Sequence, residues 1–394
     1  MRVSLEILAM ILAALLALCG WIHRRFKFAM AVFLTLATLL FWEKLRASGG
    51  GGQFTVIQWE DLHISTGSNF VGDFTNAVTW MLTNTLYNIK AVVLAGDLVN
   101  AGGDTNAYMI VTNQLDRLRA AGICVVPCPG NHEMGASTNS VAADIAAWNS
   151  FFGTNWYAGD PFFVGQWNTN DSNDTVHGSA YAITNNGTRI LFVTTPVCIS
   201  NAPEDNPTGY YLYSGSWDTS MSWSNSATYI ASLAASHPAH QVVVLTHDFI
   251  NTLGNFNTTN YLGLWIGDGP AVLWKHLSSL PNLSAVWSGH ARHTAYHRLL
   301  PANDNHLVHC SYFNMQASQY FLLNAKLHTI DTSSGIVHCQ TVLLPSSNVE
   351  GLSGLTTSFT VYTNGVDLFT GPELDMDYWY PLYDAPRAAV LMNH

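Results

Sequence analysis

Five short apolar runs of the sequence each end at residues that can bind a cation or move a proton. These residues are Asp61 with His63, Asp97, Asn131 with His132, His247, and His290. Carboxylate and imidazole groups are ligands that suit Zn, Mn or Fe. If the runs are strands of an open α/β sheet, their carboxyl ends meet at one crevice and bring these side chains together.

The spacing within the set indicates how the cations would be shared. Asp61 and His63 are two residues apart, so at a strand end both side chains leave on one face and can hold one ion. A carboxylate such as Asp97 can bridge two ions. Glycines precede Asp97, Asn131 and His290, and they allow tight turns that aim these side chains.

The elements that must position these residues alternate between strands and helices. The predicted strands are Phe54–Gln58, Ala91–Ala95, Ile123–Pro127, Arg189–Thr195, Gln241–Thr246 and Leu283–Ser288. The predicted helices are Phe70–Tyr87, Ala107–Ala121, Thr219–Ser236 and Pro270–Leu280. This alternation favours α/β layers. The later runs His306–Phe313, Gln319–Thr329 and Ile336–Leu344 predict strands without helices between them, as in an antiparallel or mixed edge.

The ordered motifs DxH, GDxx(D/N), GNH(D/E), a lone His and a GHxH-like end resemble those of calcineurin-like metallophosphoesterases. The resemblance covers residues 53–345. It implies an α/β fold, the four-layer α/β/β/α sandwich with mixed sheets, and two divalent or trivalent metal ions. Mn, Zn or Fe are expected, and the identity of the metals is left open.

The resemblance also implies a role for each matched residue. Asp61 and His63 match ligands of the first metal, and Asp97 matches the ligand that bridges both metals. The ligands of the second metal correspond to Asn131, His247 and His290. His132 matches the histidine that contacts the phosphate and assists the leaving group. Asn100 matches a position that supports the ligands, and Asp248 is a candidate for orienting an imidazole.

The sequence departs from the family at the last motif. Relatives typically have Gly-His-x-His, with the second His as a ligand of the first metal, but Arg292 stands at that position here. A guanidinium has no lone pair to donate to a cation. We expect His293 to take the ligand role and Arg292 to bind substrate phosphate; the alternative is a first metal that lacks this ligand.

The first 48 residues form a hydrophobic leader. Val3–Ile22 and Phe28–Trp42 are apolar runs on either side of a basic segment, and Gly49–Gly52 follows as a tether. One interpretation is a helical hairpin, and the other is a single export signal or anchor preceded by extra sequence. A lipoprotein site at Cys19 and a cytoplasmic protein with buried N-terminal helices are weaker alternatives. We expect an exported protein that is membrane-anchored or secreted.

The charge balance excludes one class of partner. Charged residues make up only 10% of the chain, and beyond residue 50 there are nine basic against 24 acidic side chains. Duplex nucleic acid binding depends on Lys and Arg that neutralise phosphates, so we expect no duplex nucleic acid partner. Five cysteines lie in this part of the chain, and a bridge between Cys310 and Cys339 is an open alternative because they follow similar segments on two late strands.

These observations predict a domain at 53–345, with an unassigned extension at 346–394. The expected function is hydrolysis of small-molecule phosphate mono- or diesters by hydroxide that two metals activate, with His132 assisting the leaving group. Two alternatives remain. One is a membrane-associated phosphohydrolase acting on lipid headgroups or pyrophosphate, and the other is a metal-binding relative with weakened catalysis.

Overall fold

The computed structural model describes ten stretches of the chain. They are residues 52–66, 70–133, 141–166, 178–195, 222–250, 269–289, 294–304, 307–314, 324–343 and 377–381. All of them belong to one compact unit, Gly52–His394. The leader at 1–48 and most of the extension at 346–394 lie outside the described residues. Among those residues, no helix combines the length and the apolar character that crossing a membrane requires.

The first of two mixed sheets carries the strands that come earliest in the chain. It contains β1 (Gln53–Trp59), β2 (Ile89–Ala95), β3 (Cys124–Cys128), β11 (Asn324–Asp331), β12 (Ile336–Leu343) and β13 (Asp377–Pro381). The strand order is β13-β12-β11-β1-β2-β3. Strands β1, β2 and β3 run parallel, whereas β11 pairs antiparallel with β1. The carboxyl ends of β1, β2 and β3 therefore meet at one edge of this sheet.

The second sheet contributes the ends of two further strands. It contains β4 (Phe163–Gln166), β5 (Ser179–Asn185), β6 (Thr188–Thr194), β7 (Gln241–Leu245), β8 (Leu283–Ser288), β9 (Thr294–Pro301) and β10 (Leu307–Asn314). Its order is β4-β5-β6-β7-β8-β10-β9, in which β6, β7, β8 and β10 run parallel. Antiparallel β9 and the β4–β5 pair complete its two edges.

Helices cover the outer face of each sheet. They are α1 (Phe70–Thr83), α2 (Thr105–Ala120), α3 (Val141–Phe152), α4 (Thr154–Tyr157), α5 (Ser222–Ser236) and α6 (Gly269–Leu277). Apolar side chains of α1, α2 and α3 share a core with Ile57 and Val92 of the first sheet, and those of α5 and α6 share one with Val244 and Val286 of the second. A third core lies between the sheets, where Phe54 and Val93 pack with Phe192 and other side chains of the second sheet.

The structure confirms the predicted alternation and adds elements that the sequence did not reveal. The six strands predicted before residue 300 match observed strands to within two residues at each end. Strands β4, β5, β9 and β13 and helix α3 were not predicted. β5 carries Ser, Thr and Asn among its apolar residues, and it is defined by pairing with β6 through the tight turn at Asn186-Gly187.

The alternative of a Cys310–Cys339 bridge is wrong. Cys310 packs between the second sheet and its helices, whereas Cys339 packs between the two sheets. Both residues are buried, and neither is part of a disulfide bond. Since the side chains lie in different cores, the similar sequence context of the two residues does not bring the sulfur atoms together.

Helix α2 shows how one residue can tie a helix to the loop beside the site. Asp104 caps its N-terminus through a hydrogen bond from the Ala107 N–H (3.0 Å), and its carboxylate also accepts hydrogen bonds from the Thr66 N–H and hydroxyl. Burial alone would raise the pKa of Asp104, but these hydrogen bonds outweigh it and the pKa is lowered. The helix ends at Ala120, and Gly122, which follows the C-cap residue Ala121, has a positive φ of 77°.

We expect Asp104→Ala to lower the free energy of unfolding by about 1–2 kcal/mol at neutral pH, the cost of losing a helix cap. Because the folded pKa is depressed, this stability is present above the ordinary value and is lost as pH falls through the folded pKa. Urea unfolding at neutral and at strongly acidic pH measures the difference. Asp116→Ala, on an exposed part of the same helix, is the control and should change stability little. Equal losses from Asp104→Ala at both pH values would contradict the cap.

Candidate metal centre

The loops after β1 and β2 hold three of the expected ligands in an unusual backbone conformation. Asp61, His63 and Asp97 have positive φ angles of 53°, 46° and 53°. Side chains other than glycine rarely adopt this region, and strained residues of this kind cluster at functional sites. The two loops also pair with each other, because the Asp61 N–H donates to Gly96 O (3.1 Å) and the His63 N–H to Asp97 O (2.9 Å).

Asp97 lies at the centre of the site. Its Oδ2 atom is 3.2 Å from His247 Nε2, 3.5 Å from His63 Nε2 and 3.9 Å from His132 Nε2. Its Oδ1 atom accepts a hydrogen bond from the His132 N–H at 2.8 Å. Asp61 also lies near His63, with 3.7 Å between Asp61 Oδ1 and His63 Nε2. One carboxylate therefore contacts three imidazole rings.

His247 brings a ligand from the second sheet to ligands from the first. It follows β7, and its Nδ1–H donates to the Ala95 carbonyl at 2.8 Å. Its Nε2 atom faces Asn131 Oδ1 at 3.0 Å as well as Asp97. The Ala95 carbonyl therefore orients this ring.

Two glycines are required by how closely the loops approach one another. A Cβ on Gly96, which has φ of 108°, would lie 2.3 Å from His247 Nδ1. A Cβ on Gly130 would lie 2.2 Å from Asp97 Oδ1. Both distances are much shorter than van der Waals contact. The glycines of the Gly-Asp and Gly-Asn motifs are therefore needed to avoid a clash with the neighbouring loop as well as for turn geometry.

His132 differs from the other ring residues in its accessibility. Its side chain is 24% exposed, whereas those of His63 and His247 are at most 2% exposed. Its Nδ1–H donates to the Asn100 carbonyl at 2.7 Å, so Nε2 faces the centre. The ring of His132 also meets the ring of His63 edge-on, with 4.3 Å between centroids. Asn100 thus supports the site through its backbone carbonyl.

The charges of the site are mutually stabilising. Burial would raise the pKa of Asp97, but His247 and His132 outweigh it and hold that pKa well below its usual range. Burial would lower the pKa of His247, but Asp97 outweighs it and raises that pKa to about 10. For His63, the carboxylates of Asp61 and Asp97 likewise overcome burial, and the pKa is raised. A buried carboxylate therefore forms the electrostatic centre of the site.

The donor atoms fit cations of the kind expected from the sequence. They form two groups that share Asp97, one with His63 and His132 and the other with Asp61 and His247, and within each group all donor atoms lie within 4.8 Å of one another. Buried carboxylate oxygens, imidazole nitrogens and the Asn131 amide oxygen suit Zn, Mn or Fe. In the first group, the donor atom of His132 lies close enough to that of His63 for both to contact one cation. The sequence suggested a different role for His132, in proton transfer.

Glu133 is a structural residue of the site to which the sequence gave no role. Its buried carboxylate accepts hydrogen bonds from the N–H groups of Asp97 (2.9 Å), Val99 (2.8 Å) and Gly130 (2.6 Å). Burial, with repulsion from Asp97, raises the pKa of Glu133 to about 7. The carboxylate joins the loops after β2 and β3. Its position in the GNHE motif was the only signal in the sequence.

We expect Glu133→Gln to destabilise the metal-free protein by about 2 kcal/mol, because the amide NH₂ cannot accept a hydrogen bond and at least one buried N–H loses its partner. Metal affinity should fall as well, since Asp97 and Gly130 are held by this carboxylate. Urea unfolding and metal titration measure the two effects. Asp160→Asn is a matched control, because Asp160 is a buried carboxylate paired with Arg119 near the start of β3, away from the site. Unchanged metal affinity in Glu133→Gln would contradict the positioning role.

The structure brings together six of the predicted site residues. They are Asp61, His63, Asp97, Asn131, His132 and His247. His290, Arg292 and His293 lie outside the described residues. β8 ends at Ser288. The end of this strand lies beside the cluster, since the Gly289 N–H donates to the His247 carbonyl at 2.9 Å. Gly289, the residue before His290 in the sequence, therefore lies at the site.

Several solved structures are similar to this chain at low sequence identity and low TM-score. A purple acid phosphatase from yellow lupin (Lupinus luteus) has a TM-score of 0.40 and 12% identity, over 75% of this chain and 52% of that one. A 5'-nucleotidase from Candida albicans has a TM-score of 0.37 and 8% identity, over 84% and 52%. GAP50, the anchor in the inner membrane complex of Plasmodium, has 0.40 and 11%, over 74% and 85%. The chain spans about half the length of the first two.

These structural similarities are too remote to assign an activity, and no curated protein matches the sequence at a significant level. The family is shown by the sequence itself. The model of the family described as calcineurin-like phosphoesterase matches residues 61–291, which begin at Asp61, include the ligand positions from Asp61 to His290 and end before Arg292 and His293. This match covers more than half of the chain, and the chain therefore belongs to the calcineurin-like phosphoesterase family.

Proposed function

We propose that the protein is a metal-dependent hydrolase of phosphate mono- or diesters and that the cluster around Asp97 is its active site. The observation that carries the proposal is the sharing of one buried carboxylate by two groups of donor atoms. A carboxylate in this position can bridge two cations, and two-cation sites are common in phosphoester hydrolases. The stacking of helices, sheet, sheet and helices supports the four-layer arrangement expected for such an enzyme.

Each ligand has a proposed place. By resemblance to the family, Asp61 and His63 would hold the first cation, Asn131, His247 and His290 would hold the second, and Asp97 would contact both. Two cations, when bound, make water more acidic and neutralise charge on the phosphoryl group. The protein supplies the rigid frame: Glu133 fixes the loop of Asp97, and the Ala95 carbonyl fixes the ring of His247.

His132 is proposed to assist the leaving group. It is the most exposed ring of the cluster, and its Nε2 atom faces the centre while Nδ1 is held by Asn100. A protonated Nε2 can donate to the oxygen on which negative charge develops as the ester bond breaks. The donor-atom grouping also allows His132 to contact a cation, so metal content and rate must be measured together.

A substrate and metal panel tests the proposed function. The purified full chain, loaded in turn with Mn, Zn, Fe, Co, Ni or Mg, is assayed with p-nitrophenyl phosphate and with bis(p-nitrophenyl) phosphate. We expect hydrolysis of at least one ester in at least one metal form, and the ratio of the two rates distinguishes monoesterase from diesterase activity. Two bound metals without hydrolysis of any phosphoester would contradict the proposal and indicate a metal-binding relative.

The roles of Arg292 and His293 are a separate part of the proposal. We expect His293 to complete the first cation site and Arg292 to bind substrate phosphate through its planar guanidinium. His293→Ala should then lose about one metal per chain, and Arg292→Ala should keep both metals and raise KM. If His293→Ala retains two metals and full activity, the ligand role is wrong.

Export is proposed from the leader alone. The apolar runs and basic segment of residues 1–48 support delivery of residues 53–345 outside the cytoplasm. Cell fractionation of the full chain with a C-terminal tag tests this. Recovery of all protein in the cytosolic fraction would contradict it.

A further inference from the structure

Buried polar contacts join the two sheets directly below the metal ligands. Gln58 of β1 donates from Nε2 to the Glu60 carboxylate and to Ser288 O of β8, the latter at 3.4 Å. Its Oε1 atom accepts a hydrogen bond from His328 Nε2 of β11 at 3.0 Å. All four residues are buried. We call Gln58, Glu60, Ser288 and His328 the polar bridge, since β1 and β11 belong to the first sheet and β8 to the second.

An aromatic contact reinforces the polar bridge. The indole ring of Trp287, on β8, stacks on the ring of His328, with 4.1 Å between centroids and 16° between planes. The Trp287 Nε1–H donates to His309 Nδ1 at 3.3 Å. Burial, together with nearby Lys326, keeps the pKa of His328 well below its usual range. A neutral ring is therefore held between the sheets, in contact with both of them.

The polar bridge differs in kind from the rest of the core between the sheets. At the opposite end of β1 that core is formed by apolar side chains, among them Phe54, Val56, Ile190 and Ile330. Apolar packing is non-directional and depends mainly on buried area. Hydrogen bonds fix both distance and angle. Directional contacts between the sheets therefore occur at the level of the site, where the relative position of the ligands matters.

Glu60 extends the polar bridge to the ligands themselves. A Cβ on Gly289 would lie 2.3 Å from Glu60 Oε2 and 2.7 Å from Asp61 Oδ2, so both carboxyl groups approach this residue closely at the end of β8. Glu60 Oε2 has no hydrogen-bond partner among the described residues. The Gly289 N–H in turn donates to the His247 carbonyl. Glu60 thus lies close to both Asp61, a ligand from the first sheet, and Gly289, whose backbone contacts His247 of the second sheet.

We propose that the polar bridge sets the distance between the ligands of the first sheet and those of the second, and that Glu60 is a positioning residue for Asp61. The inference rests on the proposed function only in requiring that the centre binds cations. Asp61, His63, Asp97 and Asn131 follow strands of the first sheet, whereas His247 follows a strand of the second. An error in the position of one sheet would separate donors that must converge on the same ions.

Two variants test the proposal by metal affinity. Glu60→Gln keeps the shape of the side chain and replaces one carboxyl oxygen by an NH₂ group, and His328→Phe keeps the stacking on Trp287 and removes the hydrogen bond to Gln58. We expect each variant to bind the second equivalent of Mn about 10- to 100-fold more weakly than the wild type, the usual effect of residues that orient metal ligands. Chelator competition measures the affinity, and Mn electron paramagnetic resonance reports the spin-coupled pair. The kcat should fall while KM changes little.

Asp160→Asn is the matched control. It removes a buried carboxylate near the start of β3, and it should lower the melting temperature without changing Mn affinity. If Glu60→Gln and His328→Phe bind both Mn equivalents as tightly as the wild type, the polar bridge is merely structural and the proposal is overturned, whatever their melting temperatures. If one variant fails to fold, the other decides the outcome.

The wild type separates this proposal from the proposed function. A wild-type protein that binds two Mn ions but hydrolyses no phosphoester would contradict the proposed function, while the ratio of variant to wild-type affinity would still decide the role of the polar bridge. A wild-type protein that binds fewer than two Mn ions overturns both.

Discussion

Asp97→Asn is expected to lower kcat/KM for any phosphoester substrate by about 10³-fold, or about 4 kcal/mol of transition-state stabilisation. The reason is that Asp97 belongs to both groups of donor atoms and contacts His63, His132 and His247. An amide has no charge to offer two cations and presents NH₂ to one of them. Both cations should therefore bind more weakly, and metal analysis of the dialysed protein should show fewer than two per chain.

Comparison with single-site changes sharpens this test. Asp61→Asn and His247→Ala each remove a proposed ligand of a single cation, so each should leave about one metal bound. Asp160→Asn should leave both metals and full activity, because Asp160 pairs with Arg119 away from the site. Near-normal turnover with two bound metals in Asp97→Asn would show that this carboxylate does not bridge.

His132→Ala is expected to keep both metals and to lower kcat by about 10²- to 10⁴-fold, the usual contribution of a positioned acid or base. His132 is the exposed ring of the cluster, and Asn100 holds its Nδ1 atom so that Nε2 can reach a substrate. Metal content measured beside kcat decides between the two roles that the geometry allows. If metal content falls in parallel with rate, His132 is a ligand and the proposed acid role is wrong.

The pH profile gives His132 a second test. Its Nδ1–H donates to a carbonyl, so Nε2 can donate only when the ring is protonated. Burial and the nearby His63 lower the pKa of His132 below its ordinary value, against the opposing effects of Asp97 and the Asn100 carbonyl. The protonated fraction therefore decreases as pH rises through that lowered pKa, and kcat/KM should decrease with it. His132→Ala should lack this alkaline limb, and an unchanged limb would assign it to another group.

The composition and pattern of short segments were enough to predict several features of this protein. The runs that became β1, β2, β3, β6, β7 and β8 are largely buried on both faces, so each one is visible as a short stretch in which apolar residues predominate. The ligand types at their ends, and the order of those ends along the chain, indicated a two-metal hydrolase family. Both signals are local, because the residues of a buried strand and those of the turn that follows it lie within about ten positions of each other in the sequence.

Other elements gave weaker local signals. β5 was missed although the Asn186-Gly187 pair, with φ angles of 48° and 85°, is a strong hairpin signal that could have revealed it. β13 lies within an extension that shows no periodicity. The hydrogen bond that holds the Nδ1 atom of His247 goes to the Ala95 carbonyl, which the sequence did not indicate. A backbone acceptor leaves no mark in the sequence.

The tertiary structure alone decided how the ligands are held. Glu133 gathers three N–H groups from the loops after β2 and β3, and Gln58 meets His328 across 270 positions of sequence. The positive φ angles of Asp61, His63 and Asp97 likewise follow from the pairing of two loops. The sequence determined which residues could bind cations, since ligand chemistry belongs to the side chain. Their convergence depends on contacts between distant segments, and only the packing of one sheet on the other brings those segments together.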